Sequence, residues 1–567
     1  MTGQPLFWKQ YWDEGVTDQD PASWQRDFLS AIRPTIEQFA DKPALVFLGV
    51  EVTFAELDRY SDRFARMLQA HGFGKGDVVG INLANIPEYV IAWIGTLKAG
   101  CVVSGVSPLL SPEEMVHQLH DSGARGLVTL DAIFAARLVG IVDRLPALEL
   151  VVAASVGGFL PPLKRFLGSL LGKIPKGKVT SLPGKIVLRF AEVLSSPQYD
   201  GRLDAPELSP DDLAFLQYTG GTTGPSKGAM LAHRNVVADL VLVSHWLGWE
   251  KGGGPALSAF PLFHIAGLFF SISCVYFGWT QLLVPDPRNT GQICELLGRH
   301  RPTVLANVPS LYQMLMVNPR FRELDHSRLE ACVSAAAPFP EESQRELESI
   351  VGQGRLMELY GMTETSPVTV MNPSQGPKKL GSIGMPLPNT EVKLVDPAIG
   401  EPVPVGEPGE ICIRGPQVML GYHNKPEETR NAIDEDGFLH TGDVAVFDED
   451  GYLRLVDRTK DMIIVSGFKV FSKKVEEMLT EHPAVETIAL IGVPNPERPG
   501  SELVRAVVQP TAEHIGDDRT ALAQELTAFA RERLAPYEVP KGFEIRDELP
   551  LTAIGKVDKK VLRAERK

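Results

Sequence analysis

The amino-acid sequence predicts an α/β protein with a large N-terminal domain of layered α/β subdomains, a small β-rich subdomain and a small mobile α+β C-terminal domain. Two observations indicate this class. Strand, helix and strand patterns alternate at 77–108 and again at 302–350, which is typical of parallel sheets covered by helices. After about residue 380 the chain changes to short strands broken by Pro and Gly, as in "EVKLVDPAIGEPVPVGEPGEICIRG", which favours a β-rich subdomain.

The individual elements follow in order along the chain. "PALVFLGVEVTFAELDR", beginning at Pro43, predicts a hairpin that runs into a helix with Thr53 as its N-cap. "RGLVTLD" and "LELVVAA" predict two further short apolar strands. The "DRTKD" segment marks the predicted boundary between an N-terminal domain at 1–457, with its β-rich subdomain at 380–457, and a mobile C-terminal domain at 458–567.

Composition and charge exclude several classes of protein. The 567 residues carry a net charge of −15, whereas a general nucleic-acid binder needs a basic surface. The five cysteines form no CxxC or Cys/His pattern typical of a metal site or disulfide framework, so a reducing cytosol is expected. The first residues also lack the basic start and apolar core of a signal peptide.

Two stretches bear on membrane contact. Residues 255–285 contain no Asp, Glu, Lys or Arg and are long enough for a bilayer core of ~30 Å. Pro261 and His264 interrupt the run, so a buried strand–turn–helix is favoured over a membrane span. Residues 151–191 contain seven basic residues and no acidic one. They predict either peripheral contact of 155–190 with the anionic inner face of the membrane or a solvated loop with a docked helix.

The stretch "YTGGTTGPSKGAM", residues 218–230, has the composition of a phosphate-binding loop. Its glycines let backbone N–H groups converge on one anion, and its hydroxyls and lysine add donors and a charge. Lys227 follows Ser226 and precedes Gly228, so this is not a Walker A loop. A flexible glycine turn accounts for the glycines but not for the hydroxyls beside them. The candidate phosphate-binding residues are Thr219, Gly220, Gly221, Thr222, Thr223, Gly224 and Lys227.

Five further motifs follow at long intervals. They are "PLFHIAG" at 261–267, "ELYGMTETSP" at 358–367, "GFLHTGDVA" at 437–445, "DRTKDMIIVSGFKV" at 457–470 and "LPLTAIGKVDKK" at 549–560. With the phosphate loop, and in this order, they cover nearly the whole chain. The sequence resembles the adenylate-forming superfamily of acyl-CoA synthetases and luciferase-like enzymes, and its basic insertion is most like that of bacterial long-chain fatty-acid–CoA ligases.

The resemblance implies an AMP-forming acid–thiol ligase that uses Mg²⁺ and takes ATP and coenzyme A as co-substrates. A carboxylate attacks the α-phosphate of ATP and gives acyl-AMP and pyrophosphate, and the thiol of coenzyme A then displaces AMP. Catalysis of the first step is mainly positioning and charge stabilisation around phosphorus.

Residue roles come with the resemblance. The 219–228 loop is implied to hold the β- and γ-phosphates, Tyr360 to stack on adenine, Thr363 to contact the α-phosphate, Glu364 to bind Mg²⁺, and Lys556 to reach the α-phosphate and acyl carboxylate. By residue type alone, the same side chains also fit core, capping or solvated positions. The other implied nucleotide contacts are Ala335, Ala336, Ala337, Glu358 and Gly361, with Asp443 and Arg458 at the ribose.

Other roles concern the second half-reaction. His264 is implied to lie near the acyl carboxylate and the thiol entrance, although a lone His in an apolar run is usually a core residue. Lys460 occupies the hinge position, about which the C-terminal domain is expected to rotate. That rotation would present the implied coenzyme A face, Ser466, Gly467, Phe468 and Lys469.

The chain departs from the family pattern at three positions of the C-terminal domain. Ser472 replaces the usual Pro, Lys474 replaces the usual acid, and Glu538 stands where Lys is frequent. Ser472 is still able to cap a helix, so the fold is expected to persist.

The identity of the acid is the least determined feature. The implied acyl pocket contains no cation, so an apolar monocarboxylate, a medium- or long-chain fatty acid, is preferred. A ligase for aromatic or alicyclic acids, a fatty acyl-AMP ligase that feeds a carrier protein, and a non-catalytic lipid-binding protein remain alternatives, and oligomer formation is open. The implied pocket residues are Val236, Val237, Leu240, Phe263, Val308 and Pro309.

Overall fold

The computed structural model describes residues 6–172, 174–219, 225–465, 468–496, 498, 501–551 and 557–565. The chain forms two compact units. The large unit comprises Gln4–Glu391 and Ile413–Leu439, and the small unit comprises Val392–Cys412 and His440–Lys567. The predicted domain boundary at 457/458 lies within the small unit and stays a prediction.

Strands and helices alternate through most of the chain. The strands are β1 Pro43–Phe47, β2 Val50–Thr53, β3 Val78–Asn82, β4 Val102–Gly105, β5 Gly126–Leu130, β6 Leu150–Ala154, β7 Ile186–Arg189, β8 Leu213–Thr219, β9 Lys227–Ala232, β10 Ala256–Ser258, β11 Gln281–Leu283, β12 Val304–Asn307, β13 Ala331–Ser334, β14 Leu356–Gly361, β15 Val368–Met371, β16 Met385–Pro386, β17 Glu391–Val395, β18 Gly409–Arg414, β19 Gly421–Tyr422, β20 Leu439–Phe447, β21 Leu453–Arg458, β22 Ile463–Val465, β23 Phe468–Val470, β24 Val485–Pro494, β25 Glu502–Pro510 and β26 Gly542–Ile545.

The helices differ widely in length. They are α1 Phe28–Gln38, α2 Phe54–Ala70, α3 Pro87–Lys98, α4 Pro112–Asp121, α5 Asp131–Ile133, α6 Val139–Ile141, α7 Pro162–Leu170, α8 Phe190–Ser195, α9 His233–Leu247, α10 Ile265–Phe277, α11 Thr290–His300, α12 Pro309–Met316, α13 Pro319–Glu323, α14 Glu341–Val351, α15 Pro426–Ala432, α16 Ser472–Thr480, α17 Arg519–Arg533 and α18 Lys559–Ala564.

Two sheets organise the large unit, and most of their strand pairs are parallel. The first has the order β19-β9-β8-β4-β3-β5-β6-β7 and the second the order β16-β15-β14-β13-β12-β10-β11-β1-β2. Parallel pairing of β3 with β4 and β5, and of β12 with β13, follows from the helices that connect these strands. Helix α3 is buried from Pro87 to Leu97, and Tyr89 and Trp93 on it are fully buried. The α/β class predicted from the alternation is confirmed.

Local sequence signals account for the entry into α2. The β1–β2 hairpin ends at Thr53, whose hydroxyl accepts from the N–H of Glu56 at 3.2 Å. The Glu56 carboxylate accepts in return from the N–H of Thr53 at 3.0 Å. This capping box satisfies two N–H groups at the start of the helix, and it confirms Thr53 as the N-cap.

The charge-free stretch at 255–285 folds as strand, turn and helix. It contributes β10, the buried helix α10 and β11, in agreement with the prediction. Among the described residues, no helix combines the length and the apolar character needed to cross a membrane.

The small unit is built from shorter sheets. A four-stranded sheet has the order β17-β18-β20-β21, a three-stranded sheet the order β24-β25-β26, and β22 pairs with β23. Helices α16 and α17 pack on the three-stranded sheet through Val475, Leu479, Leu522 and Leu526, all buried. The β-rich character predicted after residue 380 and the α+β character of the C-terminal segment are both present.

Candidate active site

The predicted phosphate loop connects two paired strands of the large unit. Strands β8 and β9 are antiparallel, with Thr219 opposite Lys227 and Tyr218 opposite Gly228. The hairpin therefore holds both ends of the loop in fixed register. Gly220, Gly221, Thr222, Thr223 and Gly224 lie outside the described residues.

Lys227 sits at the base of this loop with two partners. Its Nζ lies 2.9 Å from Oε2 of Glu428 and 4.4 Å from the ring centroid of Tyr422. The neighbouring Gly228 is crowded, since a Cβ there would lie 2.8 Å from Cδ1 of Leu216 and 3.1 Å from the Tyr218 ring. A larger residue after the lysine would require these two side chains to shift.

The predicted adenine-binding residues lie at the carboxyl ends of two neighbouring parallel strands. Strand β13 ends at Ser334 opposite Glu358 of β14, so Ala335–Ala337 and Tyr360 follow at the same sheet edge. Tyr360 is buried and Ala336 has a left-handed φ of 68°. Glu358 accepts a 2.6 Å hydrogen bond from Gln344. Gly361 is confined by the backbone, because a Cβ there would lie 1.7 Å from the carbonyl oxygen of Pro367.

Glu364 is a buried carboxylate in a short turn after β14. The 3-10 turn Thr363–Thr365 carries it, and both Thr363 and Glu364 are buried. The hydroxyl of Tyr422 donates a 2.6 Å hydrogen bond to Oε1 of Glu364, and the N–H of Met419 donates to its backbone oxygen at 2.8 Å. Burial and the Glu364 carboxylate raise the pKa of Tyr422, so the phenol remains a donor.

Sequence patterns do not reveal Tyr422, because its segment, "GYHNKPEET", has no nucleophile, metal-ligand or phosphate-binding pattern. Its position depends on the pairing of β19 with β9, in which Tyr422 lies opposite Ala229. That pairing brings two segments that are distant in the sequence together.

His264 caps a helix at the edge of the predicted acyl region. Its Nδ1 accepts from the N–H of Ala266 at 3.3 Å at the start of α10. Desolvation of the imidazole lowers the pKa of His264. The ring is therefore neutral at physiological pH.

The predicted acyl-pocket residues lie on separate elements of the large unit. Val236, Val237 and Leu240 are fully buried on α9. Pro309, which starts α12, is buried, while Val308 and Phe263 are half-buried. Their assignment to an acyl pocket stays a prediction.

In the small unit, Asp443 and Arg458 form a cross-strand pair. They lie opposite one another on β20 and β21, with Nε of Arg458 3.0 Å from Oδ1 of Asp443. Gly442, at φ 73°, turns the chain before Asp443, and its carbonyl accepts from the N–H of Thr459 at 2.9 Å. Lys460 follows directly, and burial, with Arg458 nearby, lowers its pKa.

The predicted coenzyme A face is only partly described. Ser466, Gly467 and Lys556 lie outside the described residues. Lys469 pairs with Asp396 at 2.7 Å, and the exposed Phe468 stacks on Tyr537 at 4.8 Å. Leu551 and Val557, the described residues on either side of 552–556, form an antiparallel bridge.

Two of the three departures from the family pattern compensate one another, and the third, Ser472, is the first residue of α16 and not its predicted cap. Nζ of Lys474 lies 2.7 Å from Oε1 of Glu538, so the exchanged charges at the two positions form an ion pair. Glu538 is 6% exposed and Lys474 53% exposed. At Ser472, the hydroxyl accepts from Lys559 at 2.8 Å, and the N–H donates to Asp457. A proline at 472 has no N–H and could not donate this hydrogen bond.

The site combines Lys227, at the base of the phosphate loop, with the buried Glu364 carboxylate. A cation suits nucleotide phosphates, and a carboxylate suits their metal ion. The large unit therefore defines a nucleotide-using enzyme of the α/β class. Residues 32–423 match the AMP-binding enzyme family, and residues 474–556 match the AMP-binding enzyme C-terminal domain. The chain belongs to the AMP-binding enzyme family, which confirms the resemblance and the prediction of an AMP-forming ligase.

Individual relatives cover nearly the full chain. A long-chain-fatty-acid–CoA ligase of Escherichia coli O6:H1 is 38% identical over 555 residues, 97% of this chain and 96% of that protein. A long-chain-fatty-acid–CoA ligase of Bacillus subtilis strain 168 is 37% identical over 541 residues, 94% of each chain. The structure of ATP-bound MatB from Rhodopseudomonas palustris has a TM-score of 0.77 at 27% identity and covers 95% of this chain and 99% of that one.

Proposed function

We propose that this chain activates a long-chain fatty acid with ATP and transfers the acyl group to coenzyme A. The observation that carries the proposal is the similarity, at 37–38% identity over nearly the whole length, to two bacterial long-chain-fatty-acid–CoA ligases. The chain is thus an AMP-forming acid–thiol ligase. The alternative of a non-catalytic lipid-binding protein does not account for this similarity.

The reaction has two balanced steps. A carboxylate oxygen of the acid bonds to the α-phosphorus of ATP, and the bond to the β-phosphate oxygen breaks, which releases pyrophosphate. In the second step the sulfur of coenzyme A bonds to the acyl carbon, AMP leaves with the electron pair, and the thiol proton passes to solvent. The protein's contribution is to hold the reactants in line and to stabilise charge on phosphorus.

The large unit supplies the groups for the phosphates. Lys227 and the loop before it hold the β- and γ-phosphates, and Thr363 contacts the α-phosphate. Glu364 fits Mg²⁺, because its buried carboxylate is a hard oxygen donor and Mg²⁺ is usually held by one or two carboxylates plus phosphate oxygens. When bound, Mg²⁺ neutralises phosphate charge. Tyr422 fixes the orientation of the Glu364 carboxylate.

Other residues act on the nucleoside and on the reacting carboxylate. Tyr360 stacks on adenine, with the backbone of Ala335–Ala337 beside it. Asp443 accepts from the ribose hydroxyls and Arg458, 3.0 Å away, holds Asp443. Lys556 neutralises charge between the α-phosphate and the acyl carboxylate, and Lys460 is the hinge that moves Lys556 between the two half-reactions.

The acid is long and apolar. The buried apolar residues Val236, Val237 and Leu240 on α9 offer no cation to a second carboxylate. ATP–pyrophosphate exchange and thioester formation should be measured with C8 to C18 fatty acids, benzoate, coumarate and cyclohexanoate. Highest kcat/KM for the C12–C18 acids is expected. Preference for an aromatic or alicyclic acid would sink the long-chain assignment, and adenylation without coenzyme A transfer would point to an acyl-AMP ligase.

We also propose that α7 docks on the surface of an anionic bilayer, from which such an acid could be taken. None of its residues is buried. Its apolar residues follow helical spacing on one face, and that face points to solvent. Basic residues in and after the helix suit anionic headgroups. The exposed apolar residues are Leu163 69%, Phe166 64%, Leu167 45%, Leu170 71% and Leu171 66%.

Vesicle flotation tests this docking. Wild-type protein should float with phosphatidylglycerol/phosphatidylcholine vesicles at low salt and much less with phosphatidylcholine alone. Phe166→Ser/Leu170→Ser should lose flotation, while Val317→Ser, an 80% exposed apolar position elsewhere, should not. Equal flotation of the Phe166→Ser/Leu170→Ser and Val317→Ser variants would show that α7 does not dock on lipid. Self-association without lipid binding would show the same.

A further inference from the structure

The small unit contains a cluster of three metal-ligating side chains outside the site described above. Glu410 and Cys412 lie two residues apart on β18, so their side chains share one face of the strand. His440 lies on β20, a neighbour of β18 in the same sheet. One ligand atom from each residue lies within 4.8 Å of the other two. This cluster is not predictable from the sequence, because no Cys/His spacing typical of a metal site links positions 412 and 440.

The distances within the cluster suit a tetrahedral cation. His440 Nδ1 lies 3.4 Å from Sγ of Cys412 and 3.2 Å from Oε2 of Glu410. A Zn²⁺ ion with bonds of about 2.3 Å to sulfur and about 2.0 Å to nitrogen and oxygen separates such ligand atoms by roughly 3.3–3.6 Å. The three donors therefore need only small side-chain adjustments to share one ion.

The surroundings of the three donors complete the geometry. Cys412 is fully buried, the Glu410 side chain is 13% exposed, and the His440 side chain is 32% exposed. The half-buried His440 is the most exposed of the three donors. Oε1 of Glu410 accepts a 3.0 Å hydrogen bond from the N–H of Gly442, so the carboxylate that would bind through Oε2 is already oriented.

We propose that Glu410, Cys412 and His440 form a binding site for a thiophilic divalent cation of the Zn²⁺ type. Thiolate, imidazole and carboxylate together favour Zn²⁺ or Co²⁺ over Mg²⁺, which prefers oxygen ligands alone. Binding displaces the thiol proton of Cys412 to solvent and places the imidazole proton of His440 on Nε2. The bound ion lies next to the strand segment Thr441–Asp443. The N–H of Gly442 in this segment donates to the Glu410 carboxylate that binds the ion. The inference does not depend on the proposed function.

Co²⁺ titration of the full-length, metal-stripped protein in excess Mg²⁺ tests the proposal. The expected result is one equivalent of Co²⁺ with a near-ultraviolet thiolate-to-metal charge-transfer band, which Zn²⁺ then displaces. Cys332→Ser, which removes a fully buried cysteine of the large unit, should keep the band.

Cys412→Ser should lose that band, and His440→Gln and Glu410→Gln should each weaken Co²⁺ binding roughly tenfold or more. Circular dichroism checks that each variant is folded, and the His440 and Glu410 variants keep the test decisive if Cys412→Ser unfolds. Absence of a charge-transfer band in the wild type, or its persistence in folded Cys412→Ser, would overturn the proposal.

Discussion

The Tyr422 hydroxyl donates a 2.6 Å hydrogen bond to Oε1 of Glu364, and the same ring lies 4.4 Å from Nζ of Lys227. One aromatic side chain thus contacts both the proposed Mg²⁺ ligand and the proposed phosphate-binding lysine. We therefore propose that Tyr422 is a positioning residue, which would act on the substrate through these two neighbours.

Tyr422→Phe keeps the ring over Lys227 and removes only the hydrogen bond to Glu364. A hydrogen bond to a charged group contributes about 1.5–3 kcal/mol, so ATP–pyrophosphate exchange should fall by roughly ten- to hundredfold. The apparent KM for Mg²⁺ should rise as well, because Glu364 is no longer held in one orientation. Tyr11→Phe, at a 41% exposed tyrosine, serves as the control. Lower exchange with an unchanged Mg²⁺ requirement would contradict the positioning role.

The ion pair between Lys474 and Glu538 predicts a compensating double substitution. Lys474→Glu should place a second carboxylate beside the 6% exposed Glu538. Glu538→Lys should place a second ammonium group beside that of Lys474. Each should lower the free energy of unfolding by about 1–3 kcal/mol. The double variant should recover most of this loss, but not all, because Oε2 of Glu538 also accepts a 3.0 Å hydrogen bond from Ala535 N–H that lysine cannot accept.

Thermal or urea unfolding of the four proteins measures this coupling as a double-mutant cycle. Additive losses in the double variant would mean that the two side chains do not interact in solution.

Local and periodic features of the sequence were sufficient to predict much of the fold. The capping box at Thr53, the parallel strands and the strand–turn–helix at 255–285 were all predictable, because each depends on residues close together in the chain. The contacts of Tyr422 and the Lys474–Glu538 ion pair were not predictable from the sequence. Each depends on strand pairing or packing between distant segments, and no local pattern encodes the partner. Residue types in motifs predicted candidates for chemistry, whereas the groups that orient them required tertiary structure.

Glu88 predicts an unusual pH dependence of stability. Burial raises the pKa of Glu88 from 4.5 to about 8, and its Oε2 has no hydrogen-bond partner among the described residues. Between these two pH values the folded chain keeps a proton that the unfolded chain has lost. The free energy of unfolding should therefore decrease as pH rises from 4.5 to 8, by at most about 1.4 kcal/mol per pH unit.

Glu88→Gln removes the titrating carboxyl group. The free energy of unfolding of the variant should therefore increase relative to that of the wild type between pH 5 and pH 8. Melting temperatures at four pH values in this window measure the difference. Glu192→Gln, at a 71% exposed side chain, should show no such trend. A constant difference between Glu88→Gln and the wild type across the window would show that Glu88 does not hold a proton in the folded state.

Lys556, the proposed catalytic lysine, and the exposed Lys560 provide the sharpest test of that proposal. Among the described neighbours of Lys556, Leu551 and Val557 form an antiparallel bridge, the N–H of Asp558 donates to Pro550 O at 2.7 Å, and Lys560 is exposed. Lys556→Ala should lower acid-dependent ATP–pyrophosphate exchange by roughly a hundredfold or more, because a charge that stabilises the transition state is lost. Thioester formation from supplied acyl-AMP and coenzyme A should stay close to the wild-type rate. Lys560→Ala should leave both half-reactions unchanged. Equal loss of the two half-reactions in Lys556→Ala would assign this lysine a structural role.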